Sequence, residues 1–350
     1  MSKSAPRASA APLRDSDHSD TARAAIVGIS GPTLREEEAA SFAAFVPAGV
    51  ILFGRNIIDP TQLAALIAQL RAVLPTKSVL MVDQEGGRVA RLRRPHWPEH
   101  PAAAAFGALF ALDPTAGLRA AWLHGALIGA QVAMVGFEAA CAPVLDVRNT
   151  GASAVVGDRA FADNPQAVAA LGGAMASGLL AAGVQPVPKH APGHGRALID
   201  SHLALPSVDA VREDELIPFR ACAGFGWMMT AHVLYCADDP DHPATLSLRV
   251  IGHAIRERIG FDGVLVSDDL AMGALSGDPA QRAVRAIAAG CDVALYCPGD
   301  AAGTEAVLRA VPPLSPAALQ RLAAARAMAA DRRVALDIAA MENERSALLA

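Results

Sequence analysis

Eight short apolar runs, nearly all separated by helix-like stretches, constrain this 350-residue chain more than any other feature. They cover residues 24–30, 49–53, 78–82, 137–145, 184–187, 227–230, 263–266 and 293–296. A strand covered on both faces reads as such a near-continuous apolar run. Alternation of strand and helix implies a parallel sheet with right-handed crossovers. Eight repeats point to a single-domain (β/α)8 TIM barrel, an architecture of ~250 residues. A doubly wound open sheet is the alternative, but no GxGxxG follows the first run.

Local signals place the helices. Thr33-Leu34-Arg35-Glu36 reads as a capping box opening a helix to 45. Asp59-Pro60 and Asn164-Pro165 cap helices running to 74 and 182. Further helices are expected over 117–135, 212–223, 248–259, 280–289 and 316–341, with Gly183, Gly260 and Gly290 as stops. Residues 1–22 read as a disordered leader, 23–341 as the barrel and 342–350 as a C-terminal tail.

Polar residues are not scattered along this pattern. Asp83, Asp146, Lys189-His190, His232 and Asp268 sit at the C-terminal ends of apolar runs. In a barrel those ends surround one mouth, where active sites are built. Charges placed for solubility would have no reason to favour that end. The loop beginning Pro188-Lys189-His190-Ala191-Pro192-Gly193-His194-Gly195 and reaching Asp200-Ser201-His202 is the densest polar segment.

Composition narrows the function classes. A net charge of −5, from 30 basic and 35 acidic residues, argues against a nucleic-acid binder working through a general basic field. No apolar stretch is long enough to suggest a membrane span, and the leader lacks the apolar core of a secretory signal. The five cysteines form no CxxC pair and read as reduced core residues, so a cytoplasmic protein is expected. No nucleic-acid and no membrane partner is expected, and the chain is expected as a monomer or weak homo-oligomer.

Asp268 is a catalytic candidate because a carboxylate ending a buried strand is costly unless it is paired or hydrogen-bonded. It could also be a helix cap, a role open equally to Asp269. Asp200-x-His202 can set a carboxylate against one ring nitrogen, suiting the imidazole to proton transfer; a lone loop histidine is otherwise merely solvated. Asp83, Arg91, Arg159, Lys189 and His190 are groups that grip sugar hydroxyls or carboxylates, although Arg91 could be a surface charge. His194 reads as structural, and His232 as either core or functional.

Taken together these segments resemble the bacterial β-N-acetylglucosaminidases of glycoside hydrolase family 3, NagZ type. The resemblance is carried by Lys189-His190-x-Pro192-Gly193-His194-Gly195 with Asp200-Ser201-His202, by Asp83-Gln84-Glu85-Gly86-Gly87-Arg88-Val89, and by Ala142-Pro143-Val144-Leu145-Asp146-Val147. Gly157-Asp158-Arg159-Ala160-Phe161, Met229-Thr230-Ala231-His232 and Ser267-Asp268-Asp269-Leu270-x-Met272 complete it. It implies Asp268 as nucleophile, His202 as acid/base partnered by Asp200, and Asp83, Arg91, Arg159, Lys189 and His190 as N-acetylglucosamine ligands. It implies a substrate of N-acetylglucosamine β-1,4-linked to 1,6-anhydro-N-acetylmuramic acid, in peptidoglycan recycling, with no metal or cofactor. Ala191 departs from the usual phenylalanine. A metal-dependent barrel hydrolase, a non-catalytic muropeptide-binding barrel and a phosphorylase are the rival readings.

Overall fold

A computed structural model describes residues 22–149 and 151–350. Apart from Ala22, the expected leader lies outside the described residues. The strands are β1 (Arg23–Gly28), β2 (Pro47–Leu52), β3 (Val79–Val82), β4 (Ala139–Ala140), β5 (Gln185–Pro186), β6 (Ser207–Val208), β7 (Trp227–Met229), β8 (Leu234–Tyr235), β9 (Val264–Asp269) and β10 (Val293–Tyr296). Eight of them form one parallel sheet in the order β5-β4-β3-β2-β1-β10-β9-β7. The two ends meet: Met229 N donates to Pro188 O at 2.9 Å, and Ala191 N to Met229 O at 2.7 Å. The sheet therefore closes on itself as a nearly complete barrel. β6 and β8 pair separately.

Strand side chains alternate between two cores, as a two-residue period requires. Ile26, Met81, Trp227, Met229, Val264 and Val266 fill the barrel interior. Ala25, Val27, Leu80, Met228 and Leu265 face outward into the layer shared with the helices. Both faces are buried, which is why the runs are apolar throughout. The indole N–H of the fully buried Trp227 donates to Gln185 Oε1 at 2.7 Å, so its polar atom is satisfied. Leu314, Ala318 and Leu322 close the interior cluster.

The helices are α1 (Glu36–Ala44), α2 (Pro60–Val73), α3 (Ala103–Leu112), α4 (Pro114–Met134), α5 (Pro165–Ala181), α6 (Glu213–Ala221), α7 (Pro279–Ala289), α8 (Ala301–Ala310), α9 (Pro316–Arg332) and α10 (Ile338–Leu349). The Asp59 and Asn164 caps form as expected, accepting from Gln62 N and Ala167 N. Gly183, Gly260 and Gly290 all take positive φ at helix ends.

Several expectations need correction. The α1 cap is displaced: Glu38, not Glu36, reaches back, accepting from Arg35 N at 2.9 Å and Ser30 N at 2.8 Å. α3 has no capping side chain and was not expected. β4 is only Ala139–Ala140, but pairing with the neighbouring strand resumes beyond Pro143, where Lys189 N donates to Pro143 O at 3.0 Å and Leu145 N to Lys189 O at 2.6 Å. Val250–Ile259 is wound wider than an α-helix, with Phe261 N reaching back to Ile255 O. The helix expected over 316–341 breaks after Arg332: Val334 N bonds Ala181 O at the end of α5, and Asp337 then caps α10 through Ala340 N. The boundary expected at 341 falls inside α10, so 342–349 is helical.

Candidate active site

The C-terminal strand ends open on a cleft of about 690 Å³, counting its open solvent. Asp83, Arg91, Arg159, Lys189, His190, His202 and Asp268 all line it. Asp200 joins through His202. All eight candidates from the sequence are thus brought to one mouth.

One wall is an ionic network. Lys189 Nζ lies 2.8 Å from Asp83 Oδ1 and 2.6 Å from Glu85 Oε1. Arg159 forks onto Glu85 with two bonds of 2.8 Å, and Arg91 donates to Asp83 Oδ2 at 3.0 Å. Burial alone would raise the Asp83 carboxyl, but Lys189 and Arg91 outweigh it and hold it well below its ordinary value. Glu85 is lowered for the same reason, burial being outweighed by Lys189 and Arg159. Lys189 is raised despite burial, because Asp83 and Glu85 surround its ammonium. Asp83, Glu85 and Lys189 are therefore held in their charged forms, and the bonds from Arg91 and Arg159 preset the geometry of the wall. Glu85 stands in the sequence only as part of Asp83-Gln84-Glu85, beyond the end of β3, where no strand period marks it out.

Asp146, placed at the mouth by its strand-end position but assigned no role there, organises the long loop. His190 Nδ1 donates to its Oδ2 at 2.7 Å, and the His194 backbone N–H donates to its Oδ1 at 2.7 Å. Burial opposes ionisation of Asp146, yet His190 and His194 draw its carboxyl down to about 2. His194 Nε2 lies 3.1 Å from Ser201 Oγ, tying the loop's start to the segment that carries His202. Gly195 makes this approach possible, since a Cβ there would stand 1.8 Å from Val147 O.

Asp268 closes the opposite side. Its side chain is 15% exposed, and His190 Nε2 stands 4.0 Å from its Oδ2. Its Oδ1 accepts from Asp269 N at 2.8 Å. Burial would raise its carboxyl, but His190, His232 and the Asp269 N–H together lower it. Asp269 is pushed the other way by burial, and its Oδ1 is taken by Ala271 N and Cys297 N. Both line the cleft, but their environments are opposed: Asp268 is drawn towards its ionised form, whereas Asp269 is pushed away from it and has its Oδ1 engaged by two backbone N–H groups. His232 is a core histidine, fully buried between Thr245 Oγ1 at 2.8 Å and Asp269 O at 2.9 Å.

His202 is 61% exposed at the cleft rim, with Nδ1 donating to Asp200 Oδ1 at 2.8 Å. Asp200 is lowered: burial raises it, but the His202 backbone N–H and ring outweigh that. Its carboxylate fixes the ring tautomer and leaves Nε2 available to exchange a proton. Among the described residues, no group of three His, Cys, Asp or Glu side chains is arranged to hold a metal ion.

Acid stability follows from these shifts. Asp83, Glu85, Asp146 and Asp268 all have folded values below their ordinary ones. The folded state then binds fewer protons than the unfolded state as pH falls. Their stabilisation is complete above the ordinary values of 3.8 and 4.5 and is lost below them, for Asp146 down through about 2. The thermal midpoint is expected to fall steadily as pH is lowered from about 4.5 to 2. A midpoint unchanged between pH 5 and 3 would contradict the charged network.

Comparison with known proteins agrees with the site. Residues 23–335 match the model of the glycosyl hydrolase family 3 N-terminal domain. A β-hexosaminidase of Pseudomonas aeruginosa is 43% identical over 284 residues, 78% of this chain and 82% of that protein. One from Aromatoleum aromaticum is 38% identical over 309 residues, 86% of each. The crystal structure of NagZ from Neisseria gonorrhoeae in complex with N-trifluoroacetyl-D-glucosamine superposes with a TM-score of 0.83 at 30% identity, covering 94% of this chain and 99% of that one. With the barrel, the mouth and these relatives in agreement, the chain belongs to glycosyl hydrolase family 3 and is a glycoside hydrolase of the β-hexosaminidase, NagZ type.

Proposed function

We propose that this chain is a retaining exo-β-N-acetylglucosaminidase, removing N-acetylglucosamine from 1,6-anhydro-N-acetylmuramic acid, with or without its peptide, in peptidoglycan recycling. The observation that carries the reading is one cleft lined by Asp268, drawn towards its ionised form, and by an imidazole whose Nδ1 is committed to Asp200. The sugar analogue held by the Neisseria protein supports N-acetylglucosamine as the glycone. Cytoplasmic location accords with five free cysteines, four of them buried.

The reaction is a double displacement. Asp268 attacks the anomeric carbon, forming a glycosyl-aspartate as the glycosidic C–O bond breaks. His202 Nε2 gives its proton to the departing oxygen while Asp200 stabilises the imidazolium. His202 then takes a proton from water, whose oxygen attacks the anomeric carbon, releasing the sugar and restoring Asp268. Water is the only co-reactant. Asp83, Lys189 and Arg159 are preset to hold the hydroxyls and acetamido group, so little reorganisation accompanies reaction. The rim position of His202 on a loop suits closure over bound substrate.

His202→Ala separates proton donation from binding. Wild type is expected to release N-acetylglucosamine from the N-acetylglucosaminyl-1,6-anhydromuramic acid disaccharide and from a dinitrophenyl glycoside. The variant should lose about 10²–10⁴-fold on the disaccharide, whose leaving group needs a proton. The dinitrophenyl glycoside should lose far less in its glycosylation step. Equal losses would argue against His202 as the acid, and an inert disaccharide with wild type would overturn the substrate.

A further inference from the structure

The cleft wall is connected to the far C-terminal helix by a buried chain of hydrogen bonds whose polarity is fixed throughout. α10 packs on α4 through Met341 and is pinned there by Arg119 and Glu344 at 2.7 Å. From this helix the buried Arg345 reaches inward, its NH1 2.8 Å from His100 Nδ1. A guanidinium can only donate, so Nδ1 is the acceptor and His100 is neutral. Its other nitrogen, Nε2, then carries the hydrogen and donates to Gln131 Oε1 at 3.1 Å. Burial and the Arg345 cation push His100 down to about 4, consistent with that neutral form.

Gln131 Oε1 accepts a second bond, from Gln84 Nε2 at 2.9 Å. This fixes the Gln84 amide orientation, and its Oε1 in turn accepts from Arg91 N at 2.7 Å and Leu92 N at 3.1 Å. Gln84 Nε2 also meets Leu92 O at 3.1 Å. The chain therefore ends on the backbone of Arg91, whose side chain holds Asp83 in the cleft. Gln84 itself follows Asp83 directly. Arg345, His100, Gln131 and Gln84 are all buried, and reversing any one amide or tautomer would set two donors against each other.

Stability alone does not account for Arg345. Burying a cation against a neutral imidazole is costly, and an apolar side chain of similar size would do as well or better. The residue also lies beyond 335, where the family match ends.

We propose that Arg345, acting through His100, Gln131 and Gln84, is a positioning residue that sets Arg91 and Asp83 for the sugar, making α10 part of the substrate-binding apparatus. This rests on the reading of Asp83 and Arg91 as sugar ligands. Arg91 and Asp83 do not take part in bond exchange. Loss of the relay therefore weakens substrate and transition state together, raising KM and leaving kcat in place.

Arg345→Met removes the donor, whereas Arg345→Gln keeps an N–H for His100 Nδ1. With a chromogenic β-N-acetylglucosaminide, Arg345→Met is expected to raise KM about fivefold, the size of one ordinary hydrogen bond's loss, with kcat within about twofold. Arg345→Gln should restore KM to within about twofold of wild type. Gln131→Leu breaks the same chain from α4 and should shift KM in the same direction, so the question survives if Arg345→Met does not fold. KM unchanged in the folded variants, or a loss in kcat alone tracking a lower melting midpoint, overturns the relay. Wild type inert on any β-N-acetylglucosaminide would instead overturn the underlying function.

Discussion

Replacing Asp268 by alanine is expected to lower turnover of an aryl β-N-acetylglucosaminide by on the order of 10⁴-fold or more, with the barrel still folded. The fold should survive because Asp268 sits at the open end of β9, and the bond it loses is from the neighbouring Asp269 N. Removing a largely buried carboxylate also removes a desolvation cost. A small anion such as azide, added at high concentration, should enter the vacated space and restore part of the turnover of an activated substrate. Attack from that side on a β-glycoside gives the α-glycosyl azide, a product wild type does not make. Near-normal turnover by Asp268→Ala would remove the nucleophile assignment. Asp269→Ala should behave differently, costing stability through Ala271 N and Cys297 N, whose acceptor it removes.

Lys189→Met is expected to have the largest effect on stability, about 3 kcal/mol, because it leaves two buried carboxylates short of their shared cation. Asp83 keeps Arg91 and Glu85 keeps Arg159, which places the loss at the lower end for a broken buried pair. Combining Lys189→Met with Glu85→Gln should recover part of the loss, since one of the stranded charges is gone. Chemical denaturation of the single and double variants measures this directly. A single variant within about 0.5 kcal/mol of wild type would mean that the network does not hold the wall.

The barrel was legible because its strands are buried on both faces. That burial forces continuous apolar runs, and their C-terminal ends are the only places where Asp83, Lys189, His190 and Asp268 meet solvent and one another. What the sequence concealed has equally physical reasons. α3 is apolar on nearly every side and lacks a capping side chain, so neither period nor cap announces it. The break after Arg332 depends on a bond from Val334 N to Ala181 O, a contact between distant parts of the chain. Glu85 looks like an ordinary member of its segment until Lys189 and Arg159 are seen bonded to it, and Asp146, placed at the mouth by its position after a strand, shows its role only once His190 is seen bonded to it. His232 could not be assigned from its position after a strand, because only the packing shows both ring nitrogens engaged. Arg345, in what reads as a tail, draws its meaning from three distant side chains, His100, Gln131 and Gln84.

The proposed double displacement requires Asp268 to bond covalently to the sugar within a mouth assembled from distant strand ends. A β-N-acetylglucosaminide carrying a ring fluorine and an activated leaving group tests it most directly. The fluorine slows both displacements by disfavouring positive charge at the anomeric carbon, and the good leaving group lets the intermediate accumulate. Peptide mass spectrometry of the trapped protein should find one added fluoro-N-acetylglucosaminyl group on the segment containing Ser267-Asp268-Asp269, with fragmentation placing it on Asp268. Label on any other residue, or inactivation by the fluorosugar with no covalent adduct on the protein, would contradict it.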